Sequence, residues 1–296
     1  VRACLGQNAA KTAAELIVVV ARTDTYLDNA RRNLDAWPAD GSVWITGASA
    51  GIGRAVALDL AKRGWKVYAT ARRAEPLEAL AAENNSIVPV PGDVTSLDDM
   101  KAAVARITTD GPLALAIFNA GIYKPMRAQT FSASDAKLTF DVNMTGVANG
   151  LEPVLAHMID RKDGHVALVA SVAGYRGLPN AAAYSATKAG LQAFLETLEI
   201  DLADTGLNVI DIQPGFVSTE LMDGVPDTGL KERWEEAWKG RRTLQPEDVA
   251  RIASKLALLS NEDTLMVFAG SLPPGVSPGA FSHMVDRCNE RGARIV

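Results

Sequence analysis

Three side chains near the middle of the chain have the types and spacing that proton transfer needs. Tyr184 and Lys188 stand four residues apart in Tyr184-Ser185-Ala186-Thr187-Lys188, so a helix here puts both on one face. A free phenol, with a pKa of about 10, is a poor proton shuttle at neutral pH. A neighbouring ammonium favours the phenolate and brings that pKa towards the working range. Ser171, thirteen residues before Tyr184, follows an apolar run and so stands at the carboxyl end of a strand. Open α/β sheets bind their ligands along that edge. The Ser171 hydroxyl can hold a substrate oxygen while Tyr184 gives or takes the proton. A Tyr-x-x-x-Lys pair alone arises by chance on many helix surfaces; joined to Ser171 and to a glycine-rich turn it does not.

That turn is Thr46-Gly47-Ala48-Ser49-Ala50-Gly51-Ile52-Gly53, between an apolar β-branched run and an amphipathic stretch. Gly47 permits a tight bend, Gly51 removes a side chain where a pyrophosphate approaches, and Gly53 lets helix and strand pack closely. The helix start then offers unpaired N–H groups and the positive end of its dipole to an anion. The plain alternative is a tight strand-to-helix turn with no ligand; the flanking strand and helix favour the dinucleotide reading. After the next strand come Ala71-Arg72-Arg73, with no carboxylate before Glu75. An acid there would take a ribose 2′-hydroxyl, whereas Arg72 and Arg73 suit a 2′-phosphate, with Ser49 as a further donor. The expected cofactor is NADP(H). The alternative is a pair of solvated arginines at a helix start.

Elements positioned to carry these groups follow in strict alternation. Strands are expected at residues 43–46, 66–70, 87–90, 113–118, 165–170 and 208–212, with 265–269 as a last edge strand. Helices are expected at 52–63, 75–83, 96–108, 132–160, 181–204 and 246–259. Parallel strands need crossovers, so this order predicts an α/β fold: a doubly wound parallel sheet with helices on both faces. The domain proper is expected over residues 42–270. Residues 1–41 read as a helical extension (9–21, then 25–36) stopping at Pro38 and Gly41, and 271–296 as a second extension with one helix and a short strand.

Composition narrows the function classes. The 296 residues are 48% hydrophobic and 22% charged, enough of each for a buried core and a wetted surface. Thirty Lys and Arg against thirty-five Asp and Glu leave a net charge of −5, unsuited to wrapping nucleic acid. Two cysteines, Cys4 and Cys288, make neither a disulfide framework nor a zinc site, and three histidines argue against a His-rich metal centre. No window reaches the run of about 18 apolar residues of a membrane helix. The stretch 16–21 is too short for a secretory signal, so a cytoplasmic location without membrane partners is expected.

These motifs together resemble the short-chain dehydrogenases/reductases, in the single-domain branch with the Thr-Gly-x-x-x-Gly-x-Gly turn, over about residues 42–265. The resemblance implies a Rossmann fold and hydride transfer between nicotinamide and a carbonyl or secondary alcohol. It further implies that Ser171 polarises the carbonyl, that Tyr184 is the acid/base, and that Lys188 holds the nicotinamide ribose and lowers the tyrosine pKa. Gly47, Ser49, Gly51, Ile52 and Gly53 would cradle the cofactor. Gly92-Asp93-Val94 looks like the adenine loop. Asn119-Ala120-Gly121 is similar to the family's Asn-Ala-Gly signature, although Phe118 replaces the usual leading asparagine. Asn143 matches the asparagine that kinks a helix and anchors a water in a proton relay. Pro214, Gly215, Val217 and Thr219 match the segment at the carboxamide. Read without the family, Asn143 caps a helix break, Asp93 is a turn residue and Thr219 a helix N-cap.

Residues 216–245, with Met222, Val225, Leu230, Trp234 and Trp238 among charges, read either as a lid over an apolar substrate or as a helix packed on the body. Tyr175, Leu178 and Phe216 are candidates for the same pocket. Helices 132–160 and 181–204 resemble those used for subunit packing, which implies a homodimer or homotetramer. Ala269-Gly270-Ser271-Leu272-Pro273-Pro274-Gly275 looks like a segment of the ribokinase-type sugar kinases, but the anion hole and aspartate of that family are missing and no kinase activity is expected. A rival reading keeps the fold and drops catalysis, leaving an NADP-binding sensor or scaffold; the presence of both Tyr184 and Lys188 argues against it.

Overall fold

The structure is a computed structural model that describes residues 17–21, 41–175, 177–215, 217–222, 245–250, 265–269 and 294–295. Its frame is a nine-stranded sheet of β1 (Ile17–Ala21), β2 (Ser42–Thr46), β3 (Lys66–Thr70), β4 (Ile87–Pro89), β5 (Leu113–Phe118), β6 (Gly164–Val169), β7 (Leu207–Pro214), β8 (Leu265–Ala269) and β9 (Arg294–Ile295). The strand order is β4-β3-β2-β5-β6-β7-β8-β1-β9. From β4 to β8 all neighbours pair in parallel.

Such strands are buried on both sides, and β5 shows it, with Leu113-Ala114-Leu115-Ala116-Ile117-Phe118 buried throughout. Alternate residues feed two cores. Val43 and Ile45 join Val56 and Leu60 of α1 (Gly51–Lys62) and Leu77 and Leu80 of α2 (Ala74–Glu83). Trp44 faces the other way, with Met100 and Ile107 of α3 (Leu97–Thr109), Val154 and Met158 of α5 (Gly146–Arg161), and Leu191 and Leu195 of α6 (Ala182–Asp201). The chain runs outward from β2 to β4 and then returns to place β5 on the far side of β2. The carboxyl ends of β2 and β5 therefore flank the point where strand order reverses, the crevice such sheets use.

The stretch 132–160 is helical but irregular: α4 (Ala133–Phe140) runs into α5 through a π turn at Asp141–Thr145, which holds Asn143, the residue expected to kink a helix. At the N-terminus, residues 17–21, expected to be helical, are strand β1, antiparallel to β8 in the register Ile17↔Ala269 and to β9 at Val20↔Ile295. Ile17-Val18-Val19-Val20 is a β-branched run, and the open edge of β8 supplies the partner that β-branched residues favour over helix. Strand 265–269 is accordingly interior rather than an edge. Residues 246–250 are helical as expected. The remaining expected helices at 9–16, 25–36 and 251–259, the one within 271–293, and the side chains of Val225, Leu230, Trp234, Trp238 and Phe216 lie outside the described residues. No helix among the described residues is long and apolar enough to cross a membrane.

Candidate active site

At the end of β2 the glycine turn is held by its neighbour across the crevice. Gly47 and Gly51 take positive φ, +68° and +54°, where glycine has no steric cost. A Cβ on Gly53 would lie 2.4 Å from the Gly47 carbonyl oxygen and 2.5 Å from Asn119 Nδ2, so that position admits hydrogen alone. The Thr46 hydroxyl accepts from the backbone N–H of Asn119 at 3.1 Å and of Ala120 at 3.2 Å. In return Asn119 Nδ2 donates to the Thr46 and Gly47 carbonyls. Helix α1 opens with no side-chain cap at Ala50 and no acid in its first turn, leaving its leading amides facing the crevice. Ile52 packs on the core and Ser49 is half-buried. Thr219 approaches the same turn, 3.2 Å from where a Gly51 Cβ would stand.

A second group of side chains meets where β5, β6 and α6 converge. Ser171 leaves β6 in extended geometry; its Oγ accepts from Ala173 N–H at 3.2 Å, donates to the Pro214 carbonyl at 3.5 Å, and lies close enough to the Tyr184 phenol to lower its pKa. Lys188, 4% exposed, donates from Nζ to the Val169 carbonyl at 2.7 Å and stands 5.7 Å from the Tyr184 ring centroid. A Gly121 Cβ would lie 3.5 Å from Asn143 Oδ1 and 3.7 Å from Lys188 Nζ, so the Asn-Ala-Gly loop touches both. Asn143, fully buried in the π turn, accepts from Ile122 N–H at 2.8 Å and donates to the Ile122 carbonyl and to Thr187 Oγ1. The Thr187 hydroxyl donates to the Tyr184 carbonyl at 2.7 Å.

Electrostatics here are governed by burial. Loss of water pushes the Tyr184 phenol above its ordinary pKa, and the Ser171 hydrogen bond pulls it partly back. The lowering expected from Lys188 does not outweigh that cost, because the ammonium is itself desolvated: burial brings Lys188 down to about 8, against the pull of Asp211. Tyr123 lies edge-on to Tyr184 with ring centroids 5.3 Å apart, and burial followed by Tyr184 pushes its phenol up to about 12.

Other expected residues are placed around these two groups. Arg72 and Arg73 follow β3 after Ala71, both exposed, with Arg73 at the start of α2. Asp93 forms an Asx turn, its Oδ1 accepting from Thr95 N–H and Oγ1 at 2.9 Å each. Val94 is buried against Gly146 of α5, and its carbonyl accepts from Asn149. Pro214 closes β7, Gly215 follows, and Val217 is buried. Beside this edge a cleft of about 410 Å³ is lined by Met126, Arg127, Phe131, Leu178, Pro179 and Asn180. Of the pocket candidates named from sequence, Leu178 lines this cleft and Tyr175, exposed, does not.

Sequence reasoning passed over Thr46, Thr187 and Tyr123. Thr187 sits inside the Tyr-to-Lys segment, and a hydroxyl one residue before the lysine was the available signal. Asp211 and Gln213, polar residues in a largely apolar strand, were also legible as exceptions.

Residues 42–228 match the family described as short chain dehydrogenase. An uncharacterized oxidoreductase of Myxococcus xanthus is 42% identical over 182 residues, covering 60% of this chain and 72% of the relative. The closed form of a serine dehydrogenase complexed with NADP+ superposes with a TM-score of 0.71 at 29% identity, covering 79% of this chain and 98% of that one. A variant actinorhodin polyketide ketoreductase with NADPH gives 0.69 at 27% identity, over 77% and 95% of the two chains.

Proposed function

The chain belongs to the short chain dehydrogenase family of oxidoreductases, and from that premise we propose that it is an NADP(H)-dependent enzyme interconverting a carbonyl and a secondary alcohol. The convergence of Ser171, Tyr184 and Lys188 at the carboxyl edge of the sheet carries this reading. The residues present fit a dinucleotide. Gly53 leaves room for nothing beyond hydrogen, Gly51 presents no side chain, and the uncapped start of α1 offers amides to a pyrophosphate. Arg72 and Arg73, unpaired with any carboxylate among the described residues, suit a 2′-phosphate. The two solved relatives named above hold NADP+ and NADPH, which supports the same choice.

When bound, the nicotinamide supplies hydride chemistry. Ser171 Oγ donates to the substrate oxygen and Tyr184 passes it the proton, both hydroxyls being within reach of one another. Lys188 Nζ, fixed by the Val169 carbonyl, holds positive charge near the phenol and would hold the nicotinamide ribose. Asn143 and the Asn119–Ala120 backbone keep the crevice wall in register. The proposed enzyme is a cytoplasmic homo-oligomer working on a small carbonyl or alcohol.

Nicotinamide absorbance with a panel of carbonyls and alcohols, each with NADPH and NADH, tests the reading. Tyr184→Phe is expected to abolish turnover with NADPH binding retained. Arg72→Ala combined with Arg73→Ala is expected to weaken NADPH far more than NADH; equal losses would refute the cofactor choice.

A further inference from the structure

Helix α6 meets β7 through a polar stripe set in an apolar interface. Lys188, Gln192 and Glu196 recur every four residues and so share a face. Beneath them Asp211 and Gln213 alternate with Ile210 and Ile212, which point to the opposite core. Asp211 and Gln213 are 4% and 1% exposed. The mechanism above uses neither, nor Gln192.

Their hydrogen bonds run in one direction. Gln213 presents its Nε2 amide to Asp211 Oδ2, which accepts from it. Gln213 Oε1 is thereby turned towards α6, where it accepts from Gln192 Nε2 at 3.0 Å. The same Nε2 donates to the Ser171 carbonyl at 3.2 Å. An amide nitrogen has two hydrogens, and both of those on Gln192 are committed. A Cβ on Gly174 would lie 2.6 Å from Gln192 Nε2, so the turn after Ser171 is shaped around this amide. Meanwhile the buried Asp211 Oδ1 has no hydrogen-bond partner among the described residues, a costly arrangement. Desolvation raises the Asp211 pKa to about 7, with Glu196 adding to the rise and Gln213 and Lys188 opposing it.

We propose that Gln192 is a positioning residue for Ser171, holding its backbone so that its hydroxyl meets Tyr184, with Gln213 and Asp211 setting the direction of the Gln192 amide. This rests on the reading of Ser171 and Tyr184 given above. The polar line spans helix and strand and ends on the backbone of a residue whose hydroxyl must be placed to a fraction of an ångström.

The test compares Gln192→Met, which keeps length and loses both donors, with Asp211→Asn, which lets the Gln213 amide turn over. Gln192→Met is expected to lower kcat about tenfold, the scale of one lost hydrogen bond, with NADPH affinity unchanged. Asp211→Asn is expected to lower kcat less, and to have no further effect in the Gln192→Met background. An unchanged kcat in folded Gln192→Met, or effects that multiply in the double variant, would overturn the proposal; so would a parallel loss of NADPH affinity. Should Gln192→Met not fold, Gln213→Met is read by the same outcomes. The titration of isotopically labelled Tyr184, followed by NMR, is independent of turnover. It is expected to move upward in Gln192→Met as Ser171 withdraws, and an unmoved titration counts against positioning even if no carbonyl is reduced. Absence of turnover in the parent protein with a shifted titration would instead fault the reading of the site.

Discussion

Lys188 Nζ donates to the carbonyl of Val169 at 2.7 Å, tying the middle of α6 to the last residue of β6, two positions before Ser171. This bond sets where the ammonium sits under Tyr184 and explains why a residue so deeply buried is tolerated. It also joins the two elements that carry the proposed catalytic hydroxyls.

Replacing Lys188 by methionine preserves length and removes the donor. The Val169 carbonyl then loses this partner, at a cost of about 1–3 kcal/mol, and proton transfer is expected to slow by roughly 100-fold or more. Urea unfolding and kcat measured on the same preparation check this. A kcat within threefold of the parent would sink the proposed role of the ammonium.

Gly53→Ala places a methyl 2.4 Å from the Gly47 oxygen, which backbone cannot evade cheaply. Overpacking of this kind costs about 1–3 kcal/mol, and the turn can relieve it only by opening the contact with Asn119. Both the melting temperature and NADPH affinity, read by fluorescence titration, are expected to fall together.

Asn143→Ala deletes one acceptor and the donor of two bonds inside the π turn. The half-buried Ile122 N–H loses its partner, costing about 1 kcal/mol, and the loop after β5 should loosen. Hydrogen exchange at Ile122 is expected to accelerate while exchange in β2 stays slow. Equal protection in parent and variant would contradict this.

The stability of Asp211→Asn should depend on pH in a fixed sense. Folding raises the Asp211 pKa from the usual carboxylate range to about 7, so the folded state holds the proton more tightly than the unfolded chain. The parent's contribution from this group is full below about pH 4 and is lost as pH rises through about 7. Asparagine cannot ionise. The variant is therefore expected to gain on the parent between pH 5 and pH 8, partly offset by its lost attraction for Lys188. Thermal melts across that range measure the difference, and a gain towards acid would reverse the assignment.

The β–α alternation, the glycine turn and the Tyr184–Lys188 spacing were legible because each is a local pattern of period, turn chemistry or helical face. The break at Asp141–Thr145 was signalled by Asn143 rather than by residue periodicity; only the structure shows that Asn143 turns inward to Ile122 and Thr187 within the widened turn. The N-terminal strand escaped for another reason. Five residues beside a stretch whose spacing reads as helix are read as helix too until a partner edge exists, and β8 lies about 250 residues further along.

The amino-acid order by itself determined the parallel sheet, the crevice at its carboxyl edge and the hydroxyl, phenol and amine that meet there, because short-range sterics and hydrophobic periodicity act within a dozen residues. Tertiary structure alone decided that the Thr46 hydroxyl clamps the Asn119–Ala120 backbone, that Thr219 closes on Gly51, and that Asp211 lies in a dry interface beneath α6. Those facts depend on which distant groups are left facing one another once water has gone. Burial, which no linear spacing records, likewise set the direction in which Tyr184 and Lys188 titrate.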